Sequence, residues 1–302
     1  MPNPTAQDPN TTPPQPMSRV LVAGATGYLG RHLVSALKKH GCWVRVLVRR
    51  PEQASDLPEA DDVFVGQITD AATLHGAADD VDTVFSSIGI TRQRDGVGYE
   101  QVDYGGNLAL LREAERASVA RFVYISVLHG RELRDHVRLA AAKERFVDEL
   151  RASAVAGTVI RPTGYFSDMR EFLTMAEKGR VYLIGDGNRS MNPISGADLA
   201  EFCVTTATTR SAPDIEIGGP DILTHNQIAE AAFAATGRPA RITHVPRGLA
   251  AAARRLVESI TPERTFGPLQ FFLSVMTTDM VAPATGHDHL AAFFREESGR
   301  NP

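Results

Sequence analysis

The feature that most constrains this chain is Val20-Leu-Val-Ala-Gly24-Ala-Thr-Gly27-Tyr-Leu-Gly30, which runs straight into Arg31-His-Leu-Val-Ser-Ala-Leu-Lys-Lys-His40. A short apolar run, glycines at i, i+3 and i+6, and an amphipathic run closed by Gly41 predict strand, tight turn and helix. Glycine lets the main chain turn sharply and approach a pyrophosphate, while the unpaired N–H groups and positive dipole end of the helix face an anion. Glycines alone say little. Placed between a strand and a helix, they have the setting of a dinucleotide site, with Gly24, Thr26, Gly27, Tyr28, Leu29 and Gly30 as candidate contacts. The plainer alternative is a strand–helix turn that holds nothing.

Trp43-Val-Arg-Val-Leu-Val48 predicts the second parallel strand, and Arg49 and Arg50 follow it directly. Sites for the non-phosphorylated dinucleotide place an acid near this point to bond the ribose 2′-hydroxyl. Here no acid occurs before Glu52. Guanidinium binds phosphate in a planar, bidentate way, so the pair suits a 2′-phosphate and points to NADP(H), Arg49 first and Arg50 second. A solvated basic pair at a strand end is the competing reading.

Strand and helix then alternate. Further strands are expected at Val63–Val65, Val81–Ile88, Arg121–Ser126 and Ala156–Arg161, with helices near 71–78, 103–118 and 134–151. Such units imply an α/β fold of Rossmann type, a doubly wound parallel sheet with ligands at the carboxyl ends of its strands. Those ends carry the glycine turn, Arg49–Arg50, Gln67–Ile68, Ser86–Gly89, Ser126–His129 and Pro162–Phe166. Six loops on one rim suit a long cofactor lying across it. The stretch 19–170 is expected to form this domain and 171–302 a smaller substrate-side lobe interleaved with it. That lobe includes strands at 215–217 and 241–245 with a helix over 226–236 between them. Residues 1–18 form a proline-rich tail, six of the first sixteen being Pro, whose composition cannot build a core.

Net charge of −4 over 302 residues gives no basic face for nucleic acid. Only Cys42 and Cys203 occur, and no histidines stand at a metal-ligand spacing, so neither disulfides nor a metal is expected. No apolar run nears the roughly 20 residues that cross a bilayer, and no signal pattern opens the chain, which gives a cytoplasmic expectation by default. The helix expected over 247–260 carries Arg254 and Arg255, and it serves either as a lid over the cleft or as a peripheral membrane contact. The chain leaves monomer and homodimer equally open.

From Arg19 to Ala200 the sequence resembles the atypical and extended branches of the short-chain dehydrogenase/reductase superfamily. The likeness rests on Gly24-Ala-Thr-Gly-Tyr-Leu-Gly30, Val102-Asp-Tyr-Gly-Gly-Asn107, Phe122-Val-Tyr-Ile-Ser126, Ile160-Arg-Pro-Thr-Gly-Tyr-Phe166 and Asn192-Pro-Ile-Ser-Gly-Ala-Asp-Leu-Ala200. It is nearest to NmrA-like, isoflavone-reductase-like and divinyl-reductase-like members. The resemblance implies that Ser86, Ser87 and Ile88 lie near the nicotinamide ribose and that Gln67 and Ile68 flank the adenine. It also implies that Pro162, Thr163, Gly164 and Tyr165 wall the nicotinamide pocket.

One departure stands out. Superfamily oxidoreductases use a Tyr four residues before a Lys, on one helix face. Here Lys143 is preceded at that spacing by Leu139. Lys143 is the candidate for bonding the ribose hydroxyls and for polarising a carbonyl, against a solvated lysine beside Glu144. Ser126 matches the family's strand-five serine, against a satisfied turn group. Tyr165 and His129 are further proton donors, against a pocket wall and an exposed loop imidazole. Asp198 is expected to be structural, at a helix N-terminus. Three functions follow: reduction of an apolar carbonyl, quinone or activated alkene; redox sensing through bound NADP(H) without catalysis; and an assembly role in which the nucleotide stabilises the fold.

Overall fold

A computed structural model describes residues 17–90, 97–208, 213–248, 270–271 and 273–300. Its centre is a sheet of β1 (Arg19–Ala23), β2 (Trp43–Val48), β3 (Asp62–Val65), β4 (Thr83–Ser86), β5 (Arg121–Ile125), β6 (Ala156–Pro162) and β9 (Asp214–Ile217). The order is β3-β2-β1-β4-β5-β6-β9. Every pairing is parallel. The inner strands read as near-continuous apolar runs because both faces of the sheet are covered. Val22, Val46 and Phe85 on one face pack with Leu33 and Leu37 of α1 (Tyr28–Lys39) and with Leu199 and Val204 of α6 (Gly196–Thr208). Leu21, Val84 and Phe122 on the other pack with Leu110 of α2 (Asn107–Arg116) and with Phe146 and Leu150 of α4 (Arg138–Ala152).

The order reverses at β1, whose neighbours are β2 and β4. At such a switch point the loops leaving the carboxyl ends diverge and open a crevice. Beyond the rim, α5 (Phe166–Glu177), α7 (His225–Thr236) and α8 (Leu290–Arg300) pack on the parallel pair β7 (Val181–Ile184) and β11 (Ile242–Val245). The short antiparallel pair β8 (Ser190–Met191) and β10 (Leu223–Thr224) lies beside them.

Several elements differ from the sequence expectation. The stretch 71–78 holds one 3-10 helix, Ala71–Leu74. The helix expected from Asp103 begins as a π-helical segment, Glu100–Gly106, before α2. The helix expected near 134–151 is α4, which starts four residues later at Arg138, and a short turn α3 (Gly130–Leu133) precedes it. The strand at 214–217, assigned above to the smaller lobe, pairs with β6 as the seventh strand of the large sheet. Beyond Gly248, the stretch 247–260 lies outside the described residues.

Candidate functional site

Gly24 ends β1 in the left-handed region, at φ +82°. A Cβ there would stand 2.8 Å from Ser87 Oγ, and one on Gly30 would lie 2.0 Å from the Gly24 carbonyl oxygen. Gly24 is therefore demanded by its left-handed backbone and Gly30 by close approach of main chain to main chain. Gly27 N–H donates to Gly24 O at 2.9 Å, which closes the turn. Gly27 is also the N-cap of α1, with no side-chain cap and no acid in the first turn. That helix start thus keeps its N–H groups and dipole for an anion, the arrangement a diphosphate needs. Thr26 offers its carbonyl to Arg31 Nε (3.2 Å), and Arg31 pairs with Asp56 at 3.0 Å. Leu29 is buried among the core residues, so it presents only its main chain to the turn. The Tyr28 ring stands over Tyr165 with centroids 5.8 Å apart, and its hydroxyl accepts from Gly196 N–H.

Arg49 and Arg50 lie exposed beyond β2, and both main-chain N–H groups donate to Gln53 Oε1 at 3.1 Å. Gln67 is exposed at the end of β3, and Ile68 beside it touches the glycine face of the π-helical segment at Gly106. Ser86 and Ser87 separate in role. Ser86 has no exposure and donates to Asn107 Oδ1 at 2.5 Å, which ties β4 to α2. Ser87 instead faces a cavity of about 960 Å³. Ile88 packs against the core behind it.

That cavity begins at Ser87, Gly89 and Pro162–Tyr165 and runs outward between α5 and the helical residues 273–276. Its outer wall includes Met169, Phe172, Met175, Met191, Phe271 and Met276. Lys143 sits at its base, 9 % exposed. The Nζ donates to the Tyr124 hydroxyl and the Ile125 carbonyl, each at 3.4 Å, and has Asp103 Oδ1 at 3.2 Å. Burial opposes the ammonium charge, but Tyr124 and Asp103 outweigh it and hold the amine protonated well above the ordinary lysine range. Burial also pushes the Tyr124 hydroxyl up to about 12, against the pull of Lys143. Neither Lys143 nor Glu144 is solvated: Glu144 is 1 % exposed and accepts from Arg161 at 2.6 and 2.9 Å.

Ser126 lines the cavity, but its hydroxyl donates to Glu144 Oε1 (3.2 Å) and accepts from Arg161 at 3.5 Å. Tyr165 is half-buried at the cavity wall, its hydroxyl raised chiefly by burial and lowered by Lys143. Thr163 donates to the Asn192 carbonyl at 2.6 Å, which anchors the Pro162–Gly164 wall. Leu139, one turn before Lys143, faces the same space. His129 turns away, within 3.2 Å of the Asp279 carbonyl. Asp198 accepts main-chain N–H groups from His287 (3.0 Å) and Asp288 (2.9 Å), a structural tie. Among the described residues no group of three His, Cys, Asp or Glu could hold a metal, and no helix is long and apolar enough to cross a membrane.

The structure therefore gathers the glycine turn, Ser87, Ser126, Lys143 and Pro162–Tyr165 along one rim, with Arg49, Arg50 and Gln67 at its outer end. Asp103, Tyr124 and Gly89 were not singled out from the sequence. A carboxylate inside Val102-Asp-Tyr-Gly-Gly-Asn107 was the available signal for the first.

A family model described as NAD(P)H-binding matches residues 24–210. The chain belongs to that family. Within it, this atypical short-chain dehydrogenase/reductase is 31 % identical over 250 residues to divinyl chlorophyllide a 8-vinyl-reductase of Oryza sativa subsp. indica. The match covers 75 % of this chain but only 61 % of the rice protein, so the chain spans less than two thirds of that relative. It is 27 % identical over 232 residues to the photosystem II assembly factor Ycf39 of Guillardia theta, covering 75 % and 73 % of the two chains. The fold matches the NADPH-dependent quinone oxidoreductase QOR2 of Escherichia coli in complex with NADPH, at TM-score 0.72, 19 % identity, and coverage of 93 % and 99 %.

Proposed function

We propose that this NAD(P)H-binding protein is an NADP(H)-dependent reductase, of the NmrA-like or divinyl-reductase-like branch, acting on an apolar carbonyl, quinone or activated alkene. The observation that carries the reading is a single continuity. The Lys143 ammonium opens on a largely apolar cavity of about 960 Å³, and Ser87 on the same cavity wall donates to the Gly24 carbonyl of the uncapped turn at 3.4 Å. The quinone oxidoreductase likeness and the divinyl reductase relative support the same chemistry.

The nicotinamide, when bound, supplies the hydride. The chain supplies the rest. Main-chain N–H groups at Gly27–Gly30 hold the diphosphate. Arg49 and Arg50 grip the 2′-phosphate, with no acid there to favour a bare hydroxyl. Gln67 and Ile68 flank the adenine, and Ser87, Ile88 and Lys143 approach the nicotinamide ribose. Pro162, Thr163 and Gly164 wall the ring and exclude water. Lys143 then acts as a fixed cation beside negative charge growing on a substrate oxygen, a preorganised interaction worth about 10²–10³ in rate. A carbonyl gaining hydride needs one proton. Tyr165 lines the cavity wall beside Pro162–Gly164, and its hydroxyl fills from the β6 loop the role that Leu139 cannot fill from α4. Ser126, held by Glu144 and Arg161, offers the substrate a lone pair or, after rotation, its proton.

Thermal unfolding with NADPH and with NADH tests the coenzyme. At 100 times its Kd a ligand stabilises by about 2.7 kcal/mol, so NADPH is expected to shift Tm clearly more than NADH. An Arg49→Ala, Arg50→Ala double variant should erase that difference. Equal shifts in the unsubstituted protein would remove the case for the arginines. NADPH consumption is then followed with quinones, aldehydes and enones, where Lys143→Met should lower kcat/KM by about 10²-fold or more.

A second reading is favoured by Leu139 and by the Ycf39 likeness: NADP(H) is bound and not consumed, and the protein serves as a sensor or assembly factor. Tight NADPH binding with no turnover across that panel selects it.

A further inference from the structure

The buried carboxylate nearest the reacting end of the cavity belongs to Asp103, which has no exposure at all. A carboxylate taken fully out of water is expensive unless a counter-charge and hydrogen bonds compensate it. Asp103 Oδ2 accepts Ile90 N–H at 3.3 Å, and Oδ1 stands 3.2 Å from Lys143 Nζ. The backbone is shaped around the pair. A Cβ at residue 89 would lie 2.8 Å from Asp103 Oδ1 and 3.1 Å from Lys143 Nζ, so a side chain there would push the two charged ends from their present places. Gly89, Asp103 and Lys143 all line the cavity.

We propose that Asp103 is the positioning residue for Lys143, its carboxylate pinning the ammonium to the cavity wall where coenzyme ribose and substrate meet. This rests on the role given to Lys143 above. Buried ion pairs contribute little net stability, so this one is better explained by the geometry that it fixes. In the Tyr–Lys arrangement of the superfamily, the lysine has a helix-mate to fix its place. Leu139 offers none, and the carboxylate of the π-helical segment takes over.

The groups facing the Lys143 ammonium come from three other elements. Asp103 lies on the segment before α2, the Tyr124 hydroxyl and Ile125 carbonyl on β5, and Tyr165 after β6. Of these, Asp103 is the one carboxylate; burial raises its pKa, and the Lys143 charge and the Ile90 N–H oppose that rise. Glu144, the neighbour on α4, is committed to Arg161.

The test uses the full chain without coenzyme, labelled with [13Cε]lysine. The sequence has four lysines, Lys38, Lys39, Lys143 and Lys178, so the spectrum is simple, and Lys143→Arg assigns the resonance. In the unsubstituted protein the Lys143 signal should stay in its protonated position beyond the range where the other three titrate. In Asp103→Asn its midpoint should fall by about one pH unit or more, because burial then acts without the opposing charge. NADPH, followed by its fluorescence, should bind at least about tenfold more weakly. Should Asp103→Asn fail to fold, Gly89→Ala is read in the same way, since its methyl separates the pair and leaves both charges present. An unchanged midpoint in a folded variant overturns the proposal. A lowered midpoint with unaltered NADPH affinity keeps the anchoring and sinks the coenzyme role of Lys143.

Discussion

The two walls of the cleft are made of different material. On the side proposed for the nucleotide the wall is main chain: Gly24, Gly27 and Gly30 bring amide groups to a helix start that no side chain caps. On the side proposed for the substrate it is side chains, with Met169, Met175, Met191 and Met276 beside Phe172 and Phe271. A main-chain cradle tolerates almost no change, because its contacts are set by backbone positions that packing holds rigid. Thioether side chains are unbranched and polarizable and fit ligands of varied outline.

The largest effect is expected at Gly30. Gly30→Ala puts a methyl within 2.0 Å of a carbonyl oxygen that cannot move without opening the turn. Overpacking of this kind costs about 2–3 kcal/mol, so NADPH affinity should fall by up to about 100-fold in a fluorescence titration. A variant that binds NADPH normally would break the comparison at its rigid end.

An intermediate effect belongs to His225, which stands behind the cavity wall with its ring against Phe172. It is 1 % exposed, Nε2 has no hydrogen bond, and burial lowers its pKa to about 4. A histidine held neutral in the folded state gives stability that is complete above the unfolded value near 6.5. That stability is lost as pH falls from there toward 4, up to about 3 kcal/mol. His225→Gln should flatten the decline of Tm over this interval while leaving Tm at pH 8 nearly unshifted. An identical acid limb in the variant would deny that the smaller lobe carries this sensitivity.

The smallest effect is expected at Met191, on the adaptable wall. Met191→Leu conserves volume and should cost less than about 1.5 kcal/mol by denaturant titration, with NADPH affinity unchanged. Its influence should appear instead as altered KM across substrates of differing shape. A loss of NADPH binding comparable to that of Gly30→Ala would erase the distinction between the walls.

The same division governs what the sequence disclosed. The strand–turn–helix at Val20–His40 and the alternation through Arg161 are local patterns, and the sheet follows them. The π-helical start at Glu100 was not legible, because Gly105 and Gly106 weaken a helix without saying which kind replaces it. Only in the fold does Gly106 meet Ile68, where a Cβ would lie 2.7 Å from its side chain. The strand Asp214–Ile217 has a half-exposed alternating pattern that suits either lobe, and its partner β6 is set by tertiary packing. Ser86 and Ser87 are adjacent and chemically alike, yet the pleat sends one to Asn107 and the other to the cavity. Asp103 stayed hidden for a related reason: a carboxylate in a polar stretch looks solvated until Lys143, forty residues on, is brought against it.

Asp198 has a consequence of its own. It receives the amides of residues 287 and 288, while Ser195 donates to Asp288 at 2.6 Å and Thr285 N–H reaches Gly218 O at 2.8 Å. The late part of the polypeptide is thereby stitched to the helix that lies against α1, behind the nucleotide turn. The two lobes cannot be parted by a single cut after residue 170, because the last threads of one are knotted into the floor of the other.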